Sequence, residues 1–349
     1  MRTRRASDRL RAVTPDDDVW RRLADLVAAA RRPLLVAHVN PDPDALGSAL
    51  ALADALDRHG ADVQVSFDAD PFAVPTALAW LPGVDEFVVP PSQASGDHDL
   101  VLALDCAAAD RLGGLLDVAE SAAAFAVLDH HASNPGFAPL SMVDPAASST
   151  GELVARLLDR LGWQASMPAA TALYAAIASD TGGFRFPATS AQTHLLAARL
   201  HDLGIDHADV GRRLFANRSL TLVQLSARVV SAADFDPTVA GGAGLLVGVL
   251  GADDRADSGL DYDDIEPVIT DLAAVADADV AAFVKQDDHG AWRVSLRSKR
   301  LVDVGAVATA LGGGGHAGAG GYTAVDQHDA AGVVTSLRTA LDDPAFRRT

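Results

Sequence analysis

Residues 122–128 form an apolar run that stops at one carboxylate and two imidazoles, Asp129-His130-His131. Buried strands are usually apolar throughout, so three consecutive metal-capable side chains at a strand end need a reason. Groups of the same kind occur at three other places, each just after an apolar segment: His38-Val39-Asn40-Pro41-Asp42-Pro43-Asp44, Asp105 and Asp180. In an open α/β sheet, ligands bind outside the carboxyl ends of the strands. The four segments are therefore expected to converge on one crevice, bringing oxygen and nitrogen ligands to it.

The rest of the chain supports that architecture. Strands are expected at 33–37, 63–67, 99–104 and 122–128, with a helix over 44–60 and helical or loop segments between the others. This alternation predicts a mostly parallel sheet covered by helices. Residues 1–13 are basic and polar and read as an arm. Thr14-Pro15-Asp16-Asp17 reads as a helix start, with Thr as cap, Pro in the first turn and acids at the positive end. From 149 to about 232 the spacing is helical: 151–161, 168–179, 190–203 and 219–232. A second α/β region follows, with strands at 245–250, 280–285 and 292–296 and a helix at 303–311. After it comes a glycine-rich loop, 312–321. The domains are expected at 14–190 and 235–349, joined by a helical linker at 191–234.

Composition narrows the function. With 349 residues, 49% of them hydrophobic, the chain can bury a sizeable core in two domains. No apolar run reaches the ~20 residues of a membrane helix. The N-terminal arginines are followed by no apolar stretch, so no signal peptide is expected. Cys106 is the only cysteine, which excludes an internal disulfide and fits a reducing cytoplasm. The formal charge of -19 disfavours long nucleic acids, whose nonspecific binding needs Lys and Arg, and Lys285 and Lys299 are the only lysines. A small phosphorylated ligand in a local cationic pocket stays compatible with that charge.

In the first region, His38, Asp42 and Asp44 share a turn restricted by Pro41 and Pro43. Asp42 and Asp44 are two apart and can point to different ions. Gly47 and Ser48 lie where the next helix begins, so N–H groups and a positive dipole face the crevice. Taken alone, each group also reads as a helix cap or turn residue; the set is stronger than its members. Carboxylates and imidazoles without thiolate favour Mn²⁺, with Mg²⁺, Co²⁺ and Zn²⁺ less strongly favoured. Two ions roughly 3.5–4 Å apart would clamp an attacking hydroxide and a phosphoryl oxygen. The expected chemistry is metal-assisted hydrolysis of a phosphate ester.

These motifs resemble those of the DHH/DHHA1 phosphoesterases, from about residue 19 onward. The resemblance rests on His38-x-x-x-Asp42-x-Asp44-Ala45-x-Gly47-Ser48, Asp105, Asp129-His130-His131, Asp180-Thr181-Gly182, Arg297-Ser298 and Gly312-Gly313-Gly314-Gly315-His316. It implies an N-terminal DHH domain with a mostly parallel sheet, a helical connection and a smaller C-terminal α/β DHHA1 domain. It also implies two divalent ions, Mn²⁺ preferred and Mg²⁺ or Co²⁺ accepted. His38, Asp42 and Asp105 would bind one ion. Asp44, Asp105, His130 and Asp180 would bind the other, with Asp105 bridging. His131 would stand beside the scissile phosphate as hydrogen-bond donor or general acid, and Asp129 would orient it.

By the same resemblance the second domain binds substrate through Arg297, Ser298, Gly313, Gly314, Gly315 and His316. Arg297 suits bidentate phosphate binding, and the glycines allow close backbone approach. Phe184-Arg185-Phe186 could equally stack bases or pack the core. Among family members the chain is most similar to stand-alone bacterial oligoribonuclease/pAp phosphatases of the nanoRNase type. That implies short RNA or a small nucleotide as substrate, no long nucleic acid, no membrane partner and, as one arrangement, a homodimer. The alternatives are a cyclic di-AMP or pApA phosphodiesterase and, ranked lower, a non-catalytic nucleotide-binding regulator. An inorganic pyrophosphatase would share the first domain but lack the glycine-rich loop.

Overall fold

The computed structural model describes residues 17–348 except Ser95 and Asp326; of Asp263 only the backbone is described. The expected arm at 1–13 and the helix start at Thr14-Pro15-Asp16 lie outside the described residues. The chain divides into two compact units, Met1–Asn217 and Arg218–Thr349. No helix among the described residues is long and apolar enough to cross a membrane.

Helix α1 (Asp17–Ala29) opens the described part of the first unit. A five-stranded sheet follows, β1 (Pro33–Ala37), β2 (Gln64–Ser66), β3 (Leu100–Leu104), β4 (Phe125–Asp129) and β5 (Leu140–Val143). Its order is β2-β1-β3-β4-β5 and every pairing is parallel. β1, β3 and β4 are buried along their whole length, as strands covered on both faces must be. On one face Leu35, Leu102, Leu104 and Leu128 pack under α1, α2 (Pro43–Arg58), α5 (Thr150–Leu161) and α6 (Met167–Asp180). On the other, Leu34, Val36, Val101 and Val127 meet Leu112 and Leu115 of the 3₁₀ turn Ala109–Leu115 and Ala119 of α4 (Leu116–Ser121). A single helical turn, α3 (Val84–Phe87), lies between β2 and β3.

The most extensive helix pairing is α2 on α6, and glycine makes it possible. A Cβ on Gly47 would lie 2.8 Å from the Ala172 carbonyl oxygen. Gly47 therefore serves close helix approach. Gly151 does the same for α5, where a Cβ would lie 2.7 Å from the Cβ of Ala176. The segment expected to link the domains is shared between the units. Helices α7 (Ala191–Asp202) and α8 (His207–Phe215) pack on α6, and α9 (Leu220–Ser231) packs in the second unit.

The second unit holds a mixed sheet ordered β10-β11-β9-β8-β7-β6. Its strands are β6 (Asp234–Asp236), β7 (Leu245–Leu250), β8 (Val280–Gln286), β9 (Trp292–Ser298), β10 (Gly314–His316) and β11 (Ala319–Ala324). Two short helices, α10 (Val239–Gly242) and α11 (Ala252–Ala256), precede α12 (Val268–Ala273). On one face Val247, Val284, Val294 and Leu296 pack with α13 (Val304–Ala310) and α14 (Ala330–Leu341). On the other, α9 and α12 cover Leu246, Ala281 and Phe283. The glycine-rich segment is not a loop, as expected, but the β10–β11 hairpin. Its strand periodicity was unreadable because glycines carry no side chain to alternate.

Candidate metal centre

The crevice of the first unit lies where the strand order reverses. β1 sits between β2 and β3, so the connections leaving the carboxyl ends of β1 and β3 run to opposite sides. Open α/β sheets bind ligands at such a point. His38 follows β1, Asp105 follows β3, and Asp129 ends β4. Asp44 lies in the first turn of α2, and Asp180 ends helix α6 rather than a strand. Asp105 takes φ of 60°, a left-handed backbone that aspartate tolerates better than most residues.

Six side chains form two trios. In the first, His38 Nε2 is 3.7 Å from Asp105 Oδ2 and 4.0 Å from Asp42 Oδ2. In the second, His130 Nε2 is 3.1 Å from Asp180 Oδ2 and 3.7 Å from Asp44 Oδ2. Asp105 reaches both, because its Oδ1 is 3.4 Å from His130 Nε2. The ligand atoms of each trio lie within 4.8 Å of one another. Two atoms each ~2.1 Å from a common ion, at roughly 90–110°, stand about 3.0–3.5 Å apart. The donor set and its spacing therefore fit divalent cations.

The electrostatics agree. Burial, then the charges of Asp105 and Asp180, raise the Asp44 carboxyl well above its ordinary value. Burial raises Asp180 too, against a hydrogen bond from His130. Burial also opposes the Asp105 charge, but His131, His130, His38 and the Thr150 hydroxyl hold its carboxyl down to about 2. His130 is raised although burial opposes it, led by Asp180 and then Asp105. Carboxylates this crowded repel one another and compete for protons, and a cation relieves both by displacing those protons.

Three of the candidate ligands, Asp42, Asp44 and Asp105, are held by hydrogen bonds from helix starts. Asp42 caps α2: its Oδ1 accepts from Asp44 N and Ala45 N, both at 2.9 Å, while Oδ2 faces His38. The cap reading and the ligand reading of this turn are thus compatible. Asp44, fully buried, accepts from Thr150 N at 2.7 Å, Gly151 N at 2.9 Å and the Ser48 hydroxyl at 3.2 Å. The Thr150 hydroxyl donates to Asp105 Oδ1 at 2.8 Å. The first turn of α5, with its positive dipole end, therefore clamps two ligands. Sequence reasoning missed this clamp. Ser149 and Glu152 mark a helix start, but nothing local shows what that start faces.

His131 stands beside the shared carboxylate, its Nδ1 3.6 Å from Asp105 Oδ1, and Asp129 orients it. Its Nδ1 lies 2.7 Å from Asp129 Oδ1. Asp129 is fully buried and also accepts from His130 N at 2.9 Å and Asn134 Nδ2 at 2.7 Å. Asn134 Nδ2 bonds the Cys106 carbonyl as well, tying the β4 end to the β3 end; it was missed because a lone asparagine after a turn carries no signal. Burial and the nearby Asp105 and Asp129 charges push the Cys106 thiol up, so it stays an inert core group.

In the second unit, His316 pairs with Ala319 and Ala319 with Arg297, which sets all three on one face in one row. The adjacent row is Gly314, Gly321 and Ser295. Arg297 and His316 therefore flank a shelf of small residues. Gly313 and Gly315 have no room for a Cβ, which would lie 2.0 Å from the Gly321 carbonyl oxygen and 2.3 Å from that of Ala319. Ser298 falls on the other side of the strand and donates to Asp279 Oδ2 at 2.8 Å, while Lys299 Nζ binds the Ala278 carbonyl at 2.7 Å. Phe184 packs against Tyr174 and His194, while Phe186 is about half exposed.

Comparison with known proteins agrees with this geometry. Residues 33–177 match the DHH family, N-terminal domain, and residues 242–343 match the DHHA1 domain. The bifunctional oligoribonuclease and PAP phosphatase NrnA of Thermus thermophilus is 33% identical over 88% of this chain and 90% of its own length. An exopolyphosphatase-related protein from Bacteroides fragilis shares the fold at a TM-score of 0.83, with 24% identity over 95% of this chain and 97% of that one. RecJ from Thermus thermophilus, solved in complex with Mn²⁺, gives a TM-score of 0.54 at 17% identity, over 96% of this chain and 55% of that one. With both domains present in order and a relative this similar across nearly its whole length, the chain belongs to the DHH family of phosphoesterases, with a DHH domain followed by a DHHA1 domain.

Proposed function

We propose that this chain is a two-ion, Mn²⁺-preferring phosphoesterase that hydrolyses short oligoribonucleotides and 3′-phosphoadenosine 5′-phosphate. The observation that carries the reading is the position of Asp105, with one carboxylate oxygen on each ligand trio. His38, Asp42 and Asp105 hold one ion, and Asp44, Asp105, His130 and Asp180 hold the other. Divalent ions there supply Lewis acidity toward the phosphoryl oxygens and the attacking water. Carboxylate and imidazole donors without thiolate favour Mn²⁺ over softer-ligand metals.

The remaining steps belong to side chains. Asp129 accepts the Nδ1 proton of His131, which fixes the tautomer and turns Nε2 to the substrate. His131 then donates a hydrogen bond to a phosphoryl oxygen or a proton to the leaving oxygen. Water oxygen bonds to phosphorus as the bond from phosphorus to the ribose oxygen breaks; the ribose oxygen takes a proton from His131, and the proton that the attacking water loses restores His131. Arg297 and His316 bind a non-reacting phosphate or the terminal nucleotide on the shelf of the second unit. The catalytic domain is 14–190, the substrate domain 235–349, and 191–234 joins them.

The substrate class is supported by the name of the 33%-identical relative and by the acidic charge of -19, which disfavours long polyanions. A kcat/KM panel with Mn²⁺ tests it, using pAp, pApA, two- to four-nucleotide RNAs, a 20-mer, cyclic di-AMP and pyrophosphate. The short RNAs and pAp are expected to lead. Equal turnover of the 20-mer, or a preference for cyclic di-AMP or pyrophosphate, would contradict the assignment.

A further inference from the structure

Arg111 is hydrogen-bonded to the ligand segment that follows β1, and its side chain stands against the His38 imidazole itself. It sits in the 3₁₀ turn after Asp105 and is exposed. Backbone and side chain both fasten it to the turn after β1. Val39 N donates to the Arg111 carbonyl at 2.9 Å, and Arg111 Nη2 donates to the Val39 carbonyl at 3.2 Å. The same Nη2 lies 3.1 Å from His38 Nδ1. His38 Nδ1 is itself 2.8 Å from the Val39 carbonyl, so the imidazole directs Nε2 to the ligand trio while Arg111 stands at its back.

A purely structural role explains this residue poorly. The backbone bond between Val39 and Arg111 joins the two turns whatever side chain stands at 111. A guanidinium one imidazole away from bound cations opposes their binding, because like charges this close repel. The carboxylates of the trios offset part of that cost, and an entering phosphate anion offsets more. The guanidinium places one nitrogen on Val39, and its other nitrogens make no hydrogen bond to described residues. It therefore has donors left for a planar, bidentate grip on phosphate.

We infer that Arg111 grips the reacting phosphate and favours a phosphomonoester over a phosphodiester. The inference rests on the phosphoesterase reading above and adds a specificity-determining residue to it. A monoester phosphate carries about -1.5 to -2 charges near neutral pH, because its second pKa is about 6. A diester carries a single charge. A guanidinium that reaches the reacting phosphate past the edge of His38 therefore stabilises the monoester more.

The pair pAp and pApA isolates this difference. Both carry a 5′-phosphate on the first adenosine, and the reacting 3′-phosphate is free in one and esterified in the other. Removing a charge-assisted bidentate contact, Arg111→Ala should lower kcat/KM on pAp by on the order of 10²-fold and on pApA by about 10-fold or less. Arg111→Lys should recover part of the loss on pAp, as a point charge without the fork. Bound Mn²⁺ should be unchanged in both variants, and calorimetric binding of inorganic phosphate to the Mn²⁺-loaded Arg111→Ala protein should weaken about 10-fold.

Equal losses on pAp and pApA, loss of Mn²⁺ or unaltered phosphate affinity would overturn the inference; loss of Mn²⁺ would mark Arg111 as a support for His38. Wild-type protein that turned over neither nucleotide would sink the phosphoesterase reading instead, and the phosphate titration would still decide Arg111.

Discussion

The two candidate binding regions of this molecule are built in opposite ways. In the first unit the side chains carry the chemistry: six metal-capable groups, most of them buried, of which Asp42, Asp44 and Asp105 accept hydrogen bonds from the first turns of α2 and α5. In the second unit the backbone does most of the work. Glycine, alanine and Ser295 line the shelf, with Arg297 and His316 at its edges. A buried acidic cluster needs exact charge compensation, so its geometry is over-determined by neighbours. A shelf that receives a phosphate needs room and N–H donors, which small residues provide. Damage to the first region should therefore strike chemistry and metal together, and damage to the second should spare the metal.

The largest effect expected is from Asp105→Ala. A carboxylate shared by both trios serves both ions, whereas loss of an outer-shell partner typically costs only ~10–100-fold. Steady-state kinetics should show a loss of at least ~10³-fold, the worst of any single ligand change, with Mn²⁺ content falling in step. Turnover near wild type would remove the shared-ligand assignment. Arg297→Ala comes next, with kcat/KM down on the order of 10²-fold for a lost charge-assisted contact and metal content intact. Part of that loss should appear in kcat, because remote contacts position the reacting phosphate. If Arg297→Ala shed its metal, the contrast between the regions would fail.

Thr150→Val tests whether the α5 clamp belongs to the metal centre. It removes the hydroxyl bond to Asp105 and keeps the backbone bond to Asp44. Mn²⁺ affinity, read by calorimetry, should fall about 10-fold, in the range for partners that orient ligands. Unchanged affinity would reduce the clamp to a helix-packing feature.

The smallest expected effect is on stability. Glu152, buried, accepts from the Ser148 hydroxyl at 2.6 Å and from Thr193 at 3.2 Å, and pairs with Arg156. Burial opposes its charge, but the Ser148 bonds and Arg156 outweigh burial and lower its carboxyl below 4.5. A group depressed in the fold contributes stability above its unfolded value, and that stability is lost as pH falls through the folded value. Glu152→Gln should therefore cost about 1–2 kcal/mol at pH 7 and less at pH 4. A denaturant series at both pH values checks this, and an equal cost at both would contradict it.

The same contrast explains what could be read from the sequence. Asp105, His130 and Asp180 were legible because polar groups rarely end buried apolar segments by chance. The parallel sheet was legible from its short apolar runs. The β10–β11 hairpin was not, since glycines give no alternation, and neither was β5, whose four residues are only half covered. Thr150, Asn134 and Arg111 were silent for another reason: each acts on a partner far away in the chain, 28 to 73 residues for the side-chain bonds to Asp105, Cys106 and His38. Local spacing holds no information about such contacts.

The central claim is a two-ion centre with Asp105 between the ions. An electron paramagnetic resonance titration of the chelated protein with Mn²⁺ tests it most directly. The account predicts two equivalents bound per chain and a spin-coupled spectrum, which becomes that of isolated Mn²⁺ in Asp105→Ala. One equivalent, or two uncoupled ions in the wild type, would contradict it.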